Sequence, residues 1–269
     1  MPLSTADDDI LAQSYRSMQE KPIAPGHPYY VEIWENSAHD PVARLRKHIK
    51  WTEVESLQLF SGFSGSGKTT LLRRLQQNFE QEPYLVLYAN AEDYLNLVEP
   101  IELEDLLITV AGAFSDTLEA QCPGSTKAGF WTSFVDWINT IELGLAQASV
   151  SKKLFDAVEF KAELKASETF RKRVRKVVES QLPAVQKQID SFIESSLLSV
   201  QQKKPSKRIV FLFDSFEKLR GTLSNEKELL DSAERAFGRN LDKLKLPGVH
   251  CVYSVPAFLR FFVTIVNWS

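Results

Sequence analysis

The sequence predicts an α/β fold, a parallel sheet flanked by helices, with a large helical insertion between the second and third core strands. Three observations carry that prediction. Four short apolar runs, at 57–60, 84–88, 208–213 and 249–254, each end in small or polar residues, as strands buried on both faces do. Segments with helical spacing of apolar residues stand between these runs, and strand–helix alternation favours parallel pairing. Over a hundred residues separate the second run from the third, and they contain no comparable strand.

Taken in order, residues 1–28 are polar, with prolines at 22, 25 and 28, and are expected to form an extended lead-in. The run Tyr29-Tyr30-Val31-Glu32-Ile33 has the composition of a short edge strand. Asp40-Pro41 supplies a cap and a first-turn proline for a helix whose inner stripe is Val42, Leu45 and Ile49. Leu57–Phe60 is the first core strand, followed by a glycine-rich loop and a helix over Thr69–Phe79 with Leu71, Leu72 and Leu75 inside. Tyr84–Tyr88 is the second strand. In the middle segment Phe170, Val174, Val177, Val178, Leu182, Val185, Ile189, Ile193 and Leu197 recur at spacings of mostly three and four, so a long helix is expected, kinked or split at Pro183. Arg208–Phe213 and Val249–Ser254 complete the strands. The organisation predicted is a core of 29–100 and 205–269, with 101–204 as the helical insertion.

Composition narrows the class. The chain of 269 residues has 43% hydrophobic and 25% charged residues, which excludes wholesale disorder. Cys122 and Cys251 are too few for a disulfide framework, and the acidic start MPLSTADDDI is not a secretory signal. The apolar stretch 249–268 contains His250, Ser254, Pro256 and Arg260, so it is read as a strand and connector rather than a membrane span. A cytoplasmic location without membrane contact is the expectation. Net charge is −3, but residues 151–208 carry 14 Lys and Arg against 7 Asp and Glu. That asymmetry suits a nucleic-acid surface, or else a solvated or self-docked helix.

The chemistry concentrates in Gly62-Phe63-Ser64-Gly65-Ser66-Gly67-Lys68-Thr69-Thr70, which contains the pattern G-x-x-x-x-G-K-[ST] in full. The glycines let several backbone N–H groups turn toward one phosphate, and the following helix points its positive end at the same anion. Lys68 can bridge the terminal phosphates, and the Thr69 hydroxyl can ligate Mg²⁺. The strand Ile209–Phe213 ends in Asp214, a second magnesium candidate, and Glu217 follows three residues later. Glu217 could polarise an attacking water; alternatively it caps the next helix or pairs with Lys218.

With a phosphate loop, a strand-borne acid and a second nearby acid, the sequence resembles the additional-strand class of P-loop ATPases. The Asp214-Ser215-Phe216-Glu217 spacing is closer to the signal-transducing and KAP-type members than to AAA+ proteins, in which the Glu directly follows the Asp. HPYYVEIWENSAHDPVARLRKHI, LFSGFSGSGKTTLLRRL and VYSVPAFLRFF are together similar to bacterial ATPases of multidomain and phage-defence proteins. The resemblance implies that Asn90, ending the second strand, restrains the catalytic Glu, and that Ser254, ending the fourth, contacts the terminal phosphate or the water. Either could equally be an ordinary strand-end residue. Where signal-transducing relatives show Arg-Pro after the fourth strand, this chain has Val255-Pro256.

The class implies a fifth strand and a helical lid after the fourth, so the chain, ending 15 residues past Ser254, is expected to be the N-terminal piece of a longer polypeptide. Arg235, Arg239 and Arg260 are the arginines considered for completing the site. Tyr29, Tyr30 or Ile49 could supply part of a base pocket. The function expected is a Mg²⁺-dependent ATPase acting as a nucleotide-driven switch or assembly module, with a second copy or a partner protein completing the site. The alternative is an ATP-regulated nucleic-acid-binding module that uses the basic helices. A kinase is disfavoured for want of a readable acceptor pocket, and a GTPase because N-K-x-D is absent.

Overall fold

The computed structural model describes residues 22–261 apart from 24, 35–36, 127, 146–155 and 223. The lead-in up to residue 21, the stretch from 262 onward and the Arg260 side chain lie outside what is described.

Four parallel strands form one sheet in the order β1-β4-β3-β2: β1 (Ser56–Gly62), β2 (Tyr84–Asn90), β3 (Arg208–Asp214) and β4 (Val249–Pro256). Each expected strand is present, longer at its carboxyl end by two residues or fewer. Register lines up those ends: Gly62 lies opposite Pro256, Phe60 opposite Ser254, Phe213 opposite Tyr253 and Asn90 opposite Asp214. The residues nominated for chemistry are therefore gathered along one edge.

Strand alternation splits the core between two faces. Val210 and Leu212 of β3, with Val86 and Val252, face α1 (Pro41–Trp51) and α2 (Lys68–Glu80) through Val42, Leu45, Ile49, Leu72, Leu75 and Phe79. Ile49 is fully buried there, so it belongs to the core and not to a base pocket. Phe211 and Phe213 face the opposite side. There they meet α3 (Leu103–Gln121), α4 (Phe130–Leu145), α5 (Ala157–Ala166), α6 (Glu168–Ser180) and α7 (Leu182–Lys203), together with α8 (Glu226–Ala233). The helices between β2 and β3 share one continuous apolar cluster with the sheet. Phe114 of α3, for example, meets Phe211 edge to face at 5.8 Å.

The local signals for α1 act as read: the Asp40 carboxylate accepts from the Val42 N–H at 2.9 Å, with Pro41 in the first turn. Arg74 of α2 then grips Asp40 at 2.7 Å and Glu32 at 2.9 Å. Pro183 splits the long helix, opening α7 at its first turn where its missing N–H has no helical role. Residues 29–33 are not an edge strand. Their backbone is satisfied locally instead, with Tyr30 N donating to His27 O and Trp34 N to Glu32 Oε1, and Val31 and Ile33 are over 70% exposed. No helix among the described residues is long and apolar enough to cross a membrane.

The basic run of α6 divides by face. Lys172 is exposed and pairs with Glu168, one helical turn away, at 2.7 Å. Arg171 and Arg175 turn inward, where Arg171 pairs with Glu99 and donates to the Leu164 and Lys165 carbonyls. Arg175 Nε donates to both Asp105 oxygens, at 3.0 and 2.8 Å, and its Nη2 to the Pro100 carbonyl. Asp105 is almost fully buried; burial raises its carboxyl above the usual range while Arg175 works against that shift. Arg175→Leu is expected to destabilise the fold by about 3–5 kcal/mol, because it strands a buried carboxylate. Urea unfolding would read the loss, and a change below about 1 kcal/mol would contradict the pairing.

At the amino edge of the sheet, His250 is buried between Ser56 and Arg208. Arginine can only donate, so His250 Nε2 accepts and its Nδ1–H donates to Ser56 Oγ at 2.9 Å. Burial, and then Arg208, push the imidazole down to about 4. The unfolded chain therefore takes up this proton first as pH falls. Stability should be unaffected by this group above about pH 6.5 and should decline by up to roughly 3 kcal/mol toward pH 4. In His250→Gln, whose amide can keep both bonds, that part of the decline should vanish when urea midpoints are compared at pH 7.5 and 4.5.

Candidate functional site

At the carboxyl edge, β1 runs into the loop 63–67, and α2 opens at Lys68. The loop is closed by Ser66 N donating to the Phe63 carbonyl at 3.2 Å. Gly65 and Gly67 hold φ of +77° and +83°, a region that penalises any side chain. Gly62 is required for space: a Cβ there would lie 3.0 Å from Ser66 Oγ and 3.2 Å from Lys68 Cδ. Gly67 gives α2 no side-chain cap, and the first helical bond is Leu71 N to Gly67 O. The N–H groups ahead of it have no helical acceptor, which leaves donors for an anion. Thr69 and Thr70 stand half-buried in this first turn.

Lys68 folds back under the loop. Its ammonium donates to the Gly62 and Phe63 carbonyls at 3.0 and 2.5 Å and lies 3.6 Å from Glu217 Oε1. Only 2% of the residue is exposed. Burial lowers its pKa from the ordinary lysine value, with Glu217 and then Asp214 opposing the shift.

The end of β3 supplies the acidic half. Asp214 Oδ1 accepts from the Ser215 N–H at 2.7 Å and from Ser254 Oγ at 2.6 Å, and Oδ2 accepts from the Tyr88 hydroxyl at 2.6 Å. Ser215 takes the left-handed conformation, φ +77°, and so reverses the chain into the short helical turn Phe216–Lys218. That reversal brings Glu217 back over the strand end, where Oε2 lies 2.8 Å from Ser254 Oγ. The Ser254 hydroxyl has one proton, so it serves Asp214 or Glu217 at any moment, while its lone pairs receive the Ser215 N–H at 2.7 Å. Non-glycine residues in this conformation cost about 1–2 kcal/mol, and such strain is characteristically kept where it orients a functional group.

Lys68, Asp214, Glu217 and Ser254 thus form one connected cluster beside the loop. Asn90 stands opposite Asp214 in register, but its side chain caps its own turn: Oδ1 accepts from Glu92 N at 3.0 Å, and Nδ2 reaches Glu92 Oε2 at 3.4 Å. Glu217 neither caps a helix nor pairs with Lys218, which binds Glu92 at 2.5 Å instead. Arg235 and Arg239 pair with Glu102 and Glu234.

Two further side chains, Tyr88 and Arg220, take part without a motif to mark them. Tyr88, half-buried near the end of β2, holds Asp214, and the Arg73 guanidinium stacks over its ring at 3.4 Å. Burial and then the Asp214 charge raise this phenol far above its ordinary pKa, so it remains a donor. The available signal is a tyrosine close to the carboxyl end of a largely apolar strand, since a tyrosine hydroxyl taken from water needs a partner. The other is Arg220, whose Nη2 donates to Ser64 Oγ at 3.2 Å; nothing in its local sequence points to the loop.

No protein-family model matches the chain, and no curated protein matches it.

Proposed function

We propose that the chain binds a magnesium–nucleoside triphosphate, ATP by the resemblance of its motifs, and hydrolyses it as a nucleotide-driven switch or assembly module. The observation that carries this reading is the chain of contacts Lys68–Glu217–Ser254–Asp214 beside a loop whose glycines and uncapped helix leave N–H groups for phosphate. The interposed strand β4, between the loop strand and the acid-bearing strand, agrees with the additional-strand class.

The donor set fits magnesium. Among the described residues no three His, Cys, Asp or Glu converge on a point. Magnesium, however, needs only one or two protein oxygens beside phosphate and water. Thr69 Oγ1 and Asp214 would hold it, and it would neutralise developing charge on the phosphate oxygens. Lys68 then turns from the Phe63 carbonyl to the terminal phosphates. Glu217, released from Lys68 and held by Ser254, orients a water in line and accepts its proton at a carboxylate oxygen. Because the Phe216–Lys218 turn carries both Glu217 and the Lys218–Glu92 pair, occupancy of the site is transmitted to the β2 end. The expectation that Asn90 restrains Glu217 passes, on this reading, to Ser254.

The alternative of a nucleic-acid module is weakened by α6, since Arg171 and Arg175 are spent on internal partners. A role in bacterial antiviral defence, and a second copy or partner protein, rest on the motif resemblance alone.

Lys68→Ala should lower MgATP affinity at least tenfold by isothermal titration, because it removes the cation serving the terminal phosphates. Unchanged affinity would sink the assignment. Glu217→Gln should keep MgATP affinity within about threefold while turnover falls roughly a hundredfold, the usual scale for losing a general base. Phosphate-release kinetics would check it, and undiminished turnover would make Glu217 structural.

A further inference from the structure

Resting on that reading, we infer that Arg220 supplies, from within the same chain, the cation that distinguishes a nucleoside triphosphate from a diphosphate. Arg220 lies two residues past the turn Phe216–Lys218 that carries Glu217 and is fixed from several sides. Its N–H donates to the Leu97 carbonyl at 3.1 Å, Leu219 before it is 7% exposed, and Gly221 after it packs so closely that a Cβ would lie 2.3 Å from Glu226 Cα. From that anchor the guanidinium reaches across to Ser64 Oγ.

Ser64 adjoins Phe63, whose carbonyl holds the Lys68 ammonium. The guanidinium and the ammonium therefore address adjacent residues of one loop, Lys68 from beneath and Arg220 from the solvent side. The chemistry of the partner matters next. Arg74, Arg175 and Arg235 are each matched by a carboxylate. Arg220 has one side-chain partner among the described residues, a neutral hydroxyl, and no ion pair there. A guanidinium has five N–H donors, so most of its donating capacity remains for a phosphate, which it suits through its planar, forked geometry. It is exposed, so recruiting it needs no broken ion pair, and a bound nucleotide would shield it from water, where its attraction to the outermost phosphate strengthens.

Arg220 follows Glu217 by three residues, so one short segment, 217–220, delivers both the water-orienting carboxylate and a cation for the phosphate that the water attacks. Loss of the terminal phosphate would release both together. A partner protein is then not needed for this charge.

The test titrates wild type, Arg220→Ala and Arg220→Lys with MgADP and with the magnesium complex of the β,γ-imido analogue of ATP, after circular dichroism has checked that each is folded. Wild type should prefer the triphosphate analogue. Arg220→Ala should lose that preference tenfold or more while MgADP affinity stays within about twofold, and Arg220→Lys should keep part of it. Retained preference in Arg220→Ala overturns the inference. So does a parallel loss for both nucleotides, which would mean that the arginine only braces the loop through Ser64. If wild type binds neither nucleotide, the phosphate-site reading fails first, and the inference with it.

Discussion

A buried ammonium is the constraint on which the rest of the site depends. Lys68 is nearly excluded from water, and charge in that position is costly unless it is met by acceptors. Two loop carbonyls and the Glu217 carboxylate meet it. This ties the conformation of the loop after β1 to the turn after β3, two segments separated by some 150 residues of sequence. From Glu217 the connection passes through the Ser254 hydroxyl to Asp214 and on to Tyr88, so all four strand ends take part. An anion entering the loop competes for Lys68 with Glu217, and that competition is the physical core of the switch proposed above.

The sheet makes this contact set achievable. Parallel pairing brings the carboxyl ends of β1, β4, β3 and β2 to one edge, and the register keeps Phe60, Ser254, Asp214 and Asn90 level. Apolar packing on both faces holds that edge rigid. α1 and α2 close one side through Leu45, Leu72 and Leu75, and the aromatic cluster around Phe211, Phe213, Phe216 and Tyr253 closes the other. A hydroxyl proton shared between two carboxylates can orient either one only if the backbone beneath them does not drift.

Features encoded locally were legible in the sequence. The glycine spacing of the loop, the Asp40-Pro41 helix start, the break at Pro183 and the apolar strands each depend on a few neighbouring residues, and each appears where the pattern puts it. Residues 29–33 show where local pattern fails: their composition suits a strand, but an edge strand needs a neighbour, and that segment meets Arg74 of α2 through Glu32 instead. Arg171 and Arg175 belong to the basic excess of residues 151–208. Their spacing from Val174 and Val178 already placed them on the apolar face of α6, and only the fold shows Glu99 and Asp105 waiting there. The partners of Tyr88 and Arg220 lie beyond local pattern for a different reason. Each finds its partner across more than a hundred residues, and no local rule encodes such a meeting.

The most direct measurement is a crystal structure of the chain with a non-hydrolysable ATP analogue and magnesium. The terminal phosphates should lie inside the loop 63–67, with the Lys68 ammonium moved from the Phe63 carbonyl and Glu217 onto a phosphate oxygen. A nucleotide bound elsewhere, with Lys68 still holding Phe63 and Glu217, would contradict it.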